Sequence, residues 1–482
     1  MTTTFGPDNS VSAERATQKP AEPTIWFEVG EFLEYFHWAK SPTGIQRVQI
    51  ELFAEADRRG LVPGRIRFCR LDRYTHRFMP VDFAAVAACF EEPPPSGGRS
   101  LFPRARTLIS QIRADSRVWR GSIRGWLAEA RLWLRGFGMT GAGVDPRLSC
   151  FTPGDVLICL GNAWEDTRYG EFVALARRER GIRFAVLIYD LIPVTHPSSV
   201  NDDNALMFRR WLDGMIENAD LMLAISAYSR RALLAYATER KGRLPAADVL
   251  PLGTGFRPST RSVRAEAMAK FPSRYVLFVS TLSIRKNHQL VAKVWQALIA
   301  KHGAAKMPHL VFVGQIGWLV ADFMAELRAN RYLDGKIVIV SDLSDAEVRQ
   351  AYDACLFTIY PSLAEGWGLP IAESFEHGKL CVASNRTSMP EVGGDLADYI
   401  DPEDLAGATA VIERAIFDEE YRRRREAQIR ESYRPASWAE SFSSLLAALD
   451  RLHGPDDRST VDAVGAVGGS IRHRSRSAGA DG

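Results

Sequence analysis

From residue 24 onward, short continuous apolar runs alternate with segments whose apolar residues recur at helical spacing. The first series of runs is TIWFEV (24–29), RIRFCRL (65–71), DVLICL (155–160), FAVLIYD (184–190) and LMLAIS (221–226). The second is YVLFVS (275–280), HLVFVG (309–314), KIVIVS (336–341), LFTIYPS (356–362) and LCVAS (380–384). Runs of this length bounded by Gly, Pro, Ser or Asp suit parallel strands buried on both faces. Helical segments between them make βαβ units, so the chain is expected to be α/β with two parallel sheets. The sheets should meet across a stretch rich in Pro, Gly, Ser and Arg at 251–272. Ligands of such sheets lie at the carboxyl ends of the strands, so two facing sheets predict a cleft between domains.

Length and charge refine this picture only slightly. The 482 residues exceed what one hydrophobic core usually serves. The 61 basic and 58 acidic side chains leave a net charge of +3, which points to no class of partner. No run approaches the ~20 apolar residues a membrane helix needs. The six cysteines form no CxxC pair and no zinc-type spacing with His, and read as free thiols of a reducing cytoplasm. Residues 1–23 and 453–482 are polar and read as disordered; the first twenty have no apolar core of a secretory signal.

Segment 91–147 breaks the alternation. It opens with EEPPPSGG, a turn and linker signal. Residues 99–135 then carry nine Arg against Asp115 and Glu129, with Trp119, Trp126 and Trp133 seven residues apart on one helical face. Two readings stand: the Trp stripe packs on the N-terminal domain, or the basic face lies on an anionic membrane surface.

The most informative stretch is YPSLAEGWGLPIAESFEHGKLCVASNRTSMPEVGGDLADYID (360–401). A strand should end near Tyr360, and Pro370 suits the first turn of a helix, where its missing N–H costs nothing. The loop then delivers backbone N–H groups at a helix N-terminus, an arrangement that binds phosphate and other electron-rich oxygens. Gly366 and Gly368 allow close approach to a ligand. Glu365 in the loop and Glu373, expected in the first helical turn, can point into one cleft. In FVSTLSIRKNHQL (278–290), Arg285 and Lys286 stand between a strand end and a helix expected near Asn287, placed to oppose a diphosphate's charge.

These two stretches resemble the retaining glycosyltransferases of the two-domain GT-B type, specifically family 4. Glu365 and Glu373 match its E-x7-E signature, and VASNRTSMPEVGGDLADYIDPED its usual continuation; the resemblance runs from about residue 40 to 450. It implies two facing Rossmann-like domains with an interdomain cleft: residues 24–256 as the acceptor domain, 257–272 as linker and 273–435 as the nucleotide-sugar domain. A helix over 436–452, with Trp438 as anchor, would cross back onto the first domain. Glu365 would meet donor-sugar hydroxyls, Gly366, Trp367, Gly368 and Leu369 would hold sugar and phosphate oxygens, and Glu373 would meet the ribose. Lys286 aligns with the family's lysine, and Arg285 stands in for its arginine, because the usual Gly-Arg pair at the strand end reads Ser280–Thr281.

In the N-terminal half, SPTGIQRVQIELFAEA (41–56) resembles the family's first glycine loop, with Gly44, Gln46 and Arg47 as candidates facing phosphates and acceptor. IYDLIPVTHP (188–197) resembles its segment beside the reacting centre, with Tyr189 and Asp190; Asp190 would orient or deprotonate an acceptor hydroxyl, or else cap the following turn. Ser226 reads as a helix N-cap. Asp202 and Asp203 lack a third metal ligand, and GT-B chemistry generally needs no metal, so no metal and no cofactor are expected. The implied function is transfer of a sugar, with mannose from GDP-mannose favoured, to a glycan or polyprenyl-linked glycan in bacterial surface polysaccharide synthesis. The alternatives are a GT-B nucleotide-sugar epimerase or hydrolase, and a non-catalytic membrane-surface binder. No nucleic-acid module is present. The expected location is cytoplasmic, peripheral at the inner membrane face if residues 99–135 bind lipid.

Overall fold

A computed structural model describes residues 22–39, 42–72, 75–90, 149–240, 244, 246–255 and 263–453. The readings made for 1–21, for the basic Trp-bearing segment 99–135, for 256–262 and for 454–482 lie outside these residues. Among the described residues, no helix is long and apolar enough to cross a membrane.

The N-terminal half forms a seven-stranded sheet. Its strands are β1 (Ile25–Glu28), β2 (Ile66–Asp72), β3 (Arg77–Val81), β4 (Val156–Cys159), β5 (Arg183–Ile188), β6 (Leu221–Ala224) and β7 (Ala246–Val249). Their order is β3-β2-β1-β4-β5-β6-β7. All pairs are parallel except β2 and β3, which pair antiparallel from Phe68↔Val81 to Asp72↔Arg77. The expectation of a wholly parallel sheet is therefore corrected at one edge. Pro80 is tolerated there because an edge strand leaves one row of N–H groups outside the ladder.

The second sheet contains β8 (Tyr275–Val279), β9 (His309–Val313), β10 (Ile337–Val340), β11 (Thr358–Tyr360), β12 (Cys381–Ser384) and β13 (Asp398–Ile400). Its order is β10-β9-β8-β11-β12-β13, and every pair is parallel. All ten predicted strands form. The four residues of β1 and of β4 are fully buried, as a strand covered on both faces by helices requires.

Both sheets reverse direction of winding at one point, between β1 and β4 in the first and between β8 and β11 in the second. Chains leaving the carboxyl ends of the flanking strands diverge there and open a crevice. This is the two-sheet GT-B architecture.

Two segments of chain connect the halves. The helix Trp438–Asp450, capped by Ser437 and Glu440, packs on the helix Gly44–Arg58 of the N-terminal half. Its Phe442, Leu445 and Leu449 are wholly buried in the core beneath the first sheet. Full burial of each stabilises the docking by roughly 1.5–3 kcal/mol. Trp438 lies so close to Gly253 that an added Cβ would meet its ring at 2.6 Å. Residues 263–272 carry a short helix, Ala265–Met268, whose neighbour Arg264 grips Glu347 from Nε at 2.8 Å and Nη2 at 2.8 Å.

Candidate functional site

The second sheet's crevice gathers charges from both sides of its reversal point. After β8 the chain makes a single 3-10 turn, Ile284–Lys286, before the helix His288–His302. After β11 the loop 361–368 leads into the helix Leu369–Glu376. Arg285 and Lys286 therefore arrive from one side and Glu365 from the other. Glu365 Oε1 accepts from Lys286 Nζ at 2.6 Å, and Glu365 Oε2 pairs with Arg285 Nη1 at 2.7 Å. Lys286 Nζ also donates to the Tyr360 hydroxyl at 2.6 Å.

Burial shapes the protonation of this trio. Desolvation alone would lift Glu365, but Arg285 and Lys286 outweigh it and hold its carboxyl down to about 2. Desolvation pulls Lys286 down to about 8 against the attraction of Glu365. The attraction of Glu365 overrides burial for Arg285 and raises its pKa. At neutral pH the site thus holds two cations against one carboxylate, with Asp190 of the opposite lobe near enough to be felt.

The loop is pinned from behind by the segment that follows β12. Glu365 N–H donates to Thr387 Oγ1 at 2.9 Å, and Ser388 Oγ donates to the carbonyls of Glu365 and Trp367, both at 2.8 Å. A rigid loop holds the N–H groups at the start of the Leu369–Glu376 helix in place. Gly368 has φ 135°, a conformation side chains rarely adopt.

Glu373 needs a correction. The sequence places it in the first helical turn, but the helix begins at Leu369 and its first turn holds no acid. Glu373 lies one turn further on, buried, where its Oε1 takes Arg47 Nη1 at 2.5 Å and its Oε2 the Tyr352 hydroxyl at 2.8 Å. Its nearest cation therefore comes from the opposite lobe. Arg47 also reaches Asp345 at 3.4 Å.

The opposing lobe contributes Gly44, Tyr189 and Asp190. Gly44 opens the helix Gly44–Arg58, and a Cβ there would rest at 3.6 Å from Leu369, an ordinary contact. The tight approach is instead at Gly366, where a Cβ would strike the Tyr189 carbonyl oxygen and come within 2.9 Å of Asp190 Cβ. The Tyr189 hydroxyl donates to the Leu160 carbonyl at 2.8 Å. Asp190 Oδ1 accepts from Ile192 N–H at 2.9 Å, a turn-capping contact. Burial raises the pKa of its carboxyl, opposed chiefly by Arg285.

Two candidates are placed differently from what the motifs suggest. Gln46 is buried and turned inward: it completes a capping box with Thr43 and donates to Glu31 at 2.8 Å. Trp367 crosses the cleft to pack against the core of the first sheet. Ser226 caps the helix Ala227–Glu239 as read from the sequence, its hydroxyl accepting from Ser229 N–H at 3.0 Å. Asp202 and Asp203 occupy the first turn of the helix Asp202–Asn218. Among the described residues, no group of three His, Cys, Asp or Glu is arranged to hold a metal ion.

Several participants escaped the sequence reading. Tyr360 and Tyr352 each satisfy one of the buried charges. Glu391, on the short helix Met389–Gly393, accepts from Ala227 N–H at 2.8 Å and Tyr228 N–H at 2.6 Å, capping a helix of the other lobe. The proline-glutamate pair in SMPEVGG was the signal for it. Trp318 of the second lobe donates its indole N–H to the Ser199 carbonyl of the first at 3.1 Å. No sequence signal singled it out.

Comparison with known proteins bears on the family and the fold. Residues 263–432 match the family described as Glycosyl transferases group 1. O-antigen chain mannosyltransferase B of Escherichia coli is 26% identical over 273 residues, 56% of this chain and 71% of that protein. The serotype-specific mannosyltransferase WbdA of the same organism is 24% identical over 269 residues, 55% of this chain but 33% of WbdA. The chain thus matches only about a third of WbdA's length. Among solved structures, the HepE protein of Anabaena, crystallised with UDP and glucose, superposes with a TM-score of 0.53 at 15% identity. That superposition covers 89% of this chain and 100% of HepE. Sucrose-phosphate synthase of Thermosynechococcus elongatus gives a TM-score of 0.54 at 15% identity, covering 89% of this chain and 99% of the synthase. Residues 263–432 thus carry the match to glycosyl transferases group 1, within a chain whose two-sheet fold is GT-B and whose sequence resembles mannosyltransferases.

Proposed function

We propose that this transferase moves mannose from GDP-mannose to a hydroxyl of a glycan or lipid-linked glycan acceptor, with retention of anomeric configuration, in the synthesis of a surface polysaccharide. The observation that carries the reading is the meeting of Lys286, Arg285 and Glu365 at the reversal point of the second sheet, across from Asp190. Mannose and the polysaccharide context rest on the names of the Escherichia coli relatives. Retention rests on the E-x7-E resemblance.

The chemistry asked of the site is electrostatic. Breaking the glycosidic bond leaves negative charge on the nucleotide's diphosphate. Lys286, Arg285 and the backbone N–H groups opening the Leu369–Glu376 helix would oppose it, and buried cations do so more strongly than solvated ones. Glu365, ionised between those cations, would accept hydrogen bonds from sugar hydroxyls. Glu373 would take the ribose, exchanging the Arg47 contact for its hydroxyls. Asp190, raised by burial, would receive the acceptor proton. No step in this scheme requires a metal.

The test is transfer itself. The chain is incubated with GDP-mannose, UDP-glucose and dTDP-glucose in turn, with a mannose-terminated oligosaccharide as acceptor. Product with an α-linkage from GDP-mannose supports the reading. Product only from another donor overturns the choice of mannose, a β-linkage overturns retention, and consumption of donor without acceptor would favour a hydrolase or epimerase.

A further inference from the structure

Lys286 is held by two groups at once. Its Nζ donates to Glu365 Oε1 at 2.6 Å and to the Tyr360 hydroxyl at 2.6 Å. An ammonium has three N–H groups set tetrahedrally. Once two are committed, the direction of the third is fixed. On the transferase reading, that third N–H is the one left for the departing diphosphate.

Tyr360 is placed to serve as a fixed post. It is the last residue of β11, the strand at the sheet's reversal point, and it is 2% exposed. Its ring meets that of Phe278 in β8 edge-on, with centroids 6.3 Å apart. Burial, and then the charge of Glu365, raise its hydroxyl well above the usual phenol range, so the group stays neutral. The backbone of the site is tied without it. Leu363 N–H donates to the Arg285 carbonyl at 2.8 Å, and Asn287 Nδ2 to the Pro402 carbonyl at 2.9 Å. What the Tyr360 hydroxyl adds is therefore confined to the side chains around it.

We propose that Tyr360 is a positioning residue for transfer: with Glu365, its hydroxyl aims the remaining Lys286 N–H at the diphosphate oxygen that gains charge as the glycosidic bond breaks. The inference rests on the transferase reading for the diphosphate, and on the two hydrogen bonds alone for the hold on Lys286. A hydroxyl that accepts from an ammonium also favours the charged form. Tyr360 thus works against the burial that brings Lys286 down to about 8, and its loss should bring Lys286 lower still. The other charged or titratable groups facing Lys286 are Glu365, Arg285, Asp190 and His288. Glu365 at about 2 and His288 at about 3 titrate far to the acid side, and Arg285 is raised to the alkaline side. Asp190 gains charge as pH rises, so as a base it would give a gain of rate rather than a loss. An alkaline loss of rate near pH 8 therefore reports Lys286.

Tyr360→Phe keeps the ring and removes the hydroxyl. The full chain, labelled with ¹³C at lysine Cε, is titrated by NMR, with Lys286→Arg identifying the Lys286 signal. Its midpoint should fall by about one unit in Tyr360→Phe, the scale of a hydrogen bond to a charged group. With GDP-mannose as donor, the alkaline limb of kcat should move down by the same amount. At about pH 6, where Lys286 is charged in both proteins, kcat should still drop by about tenfold because the ammonium is misdirected. KM for GDP-mannose should stay within about threefold. An unmoved midpoint in the folded variant, or an unchanged kcat at that pH, overturns the inference. If Tyr360→Phe does not fold, Lys286→Met is compared with the double variant Lys286→Met, Tyr360→Phe, in which no ammonium is left to aim. Equal residual transfer supports the inference; a further loss, or a double variant that does not fold, overturns it. A wild-type chain that transfers no sugar, yet whose Lys286 midpoint depends on Tyr360, would leave the hold on Lys286 standing and remove the transferase reading.

Discussion

Replacing Glu365 by Gln removes the one carboxylate bonded to both Arg285 and Lys286 while keeping its shape. The carboxyl sits at about 2 in the folded protein against 4.5 for a free glutamate. At 1.36 kcal/mol per unit, that difference is worth roughly 3 kcal/mol of stability at neutral pH. The sign follows from the direction of the shift. A depressed carboxyl stabilises fully above its unfolded value, and the contribution fades as pH falls from 4.5 toward 2. The destabilisation by Glu365→Gln should therefore be roughly 3 kcal/mol at pH 7 and shrink to about 2 kcal/mol at pH 3.5. The two cations are only 15% and 12% exposed at their side chains, so water does little to relieve them. Urea unfolding of both proteins at the two pH values measures this directly. A loss at pH 7 below about 1 kcal/mol, or one of equal size at both pH values, would refute the claim that Glu365 is an ionised counter-charge to two buried cations.

The other expectations concern catalysis and closure. Lys286, lowered to about 8 by burial, is charged below that pH and neutral above it, so transfer should fall on the alkaline side of about pH 8. That limb should vanish in Lys286→Arg, and its persistence would reassign it. Because the folded value lies below that of a free lysine, raising the pH from about 8 toward the free value should also relieve a destabilisation. Gly366→Ala would drive a Cβ into the Tyr189 carbonyl and hold the lobes apart. Transfer should drop by about 100-fold while GDP affinity changes little, and an undiminished rate would contradict the closed geometry. Arg47→Ala removes a cross-lobe cation from Glu373; small-angle scattering should show a larger radius of gyration for the unliganded variant, and an identical one would deny Arg47 a part in closure. Prolonged EDTA treatment should leave the transfer rate unchanged; restoration of lost activity by added Mg²⁺ or Mn²⁺ would refute a metal-independent site.

What could be read from the sequence follows how much burial each element carries. Interior strands such as VLIC and YVLFV are apolar without interruption, and all ten predicted runs formed strands. The three missed are edges: β3 carries Pro80, β7 reads Ala-Ala-Asp-Val, and β13 has only three residues. An edge strand has a neighbour on one side only, so its residues need not be apolar throughout. The E-x7-E stretch singled out Glu365 and Glu373, and the loop after β8 singled out Lys286 and Arg285. Their partners were not legible, because Tyr352 and Tyr360 reach the charges through packing rather than spacing. The role of Gln46 is legible: Thr43-x-x-Gln46 is a capping-box pattern, and such a glutamine is committed to the helix start. Trp367 gains meaning only once two lobes face each other.

The most direct measurement is a crystal structure of the chain soaked with GDP-mannose or its unreactive analogue. The account predicts diphosphate oxygens within hydrogen-bonding distance of Lys286 Nζ, Arg285 and the N–H groups that open the Leu369–Glu376 helix, with Glu365 on the sugar. A nucleotide bound elsewhere, or one whose phosphates leave the Lys286–Glu365 pair untouched, would contradict it.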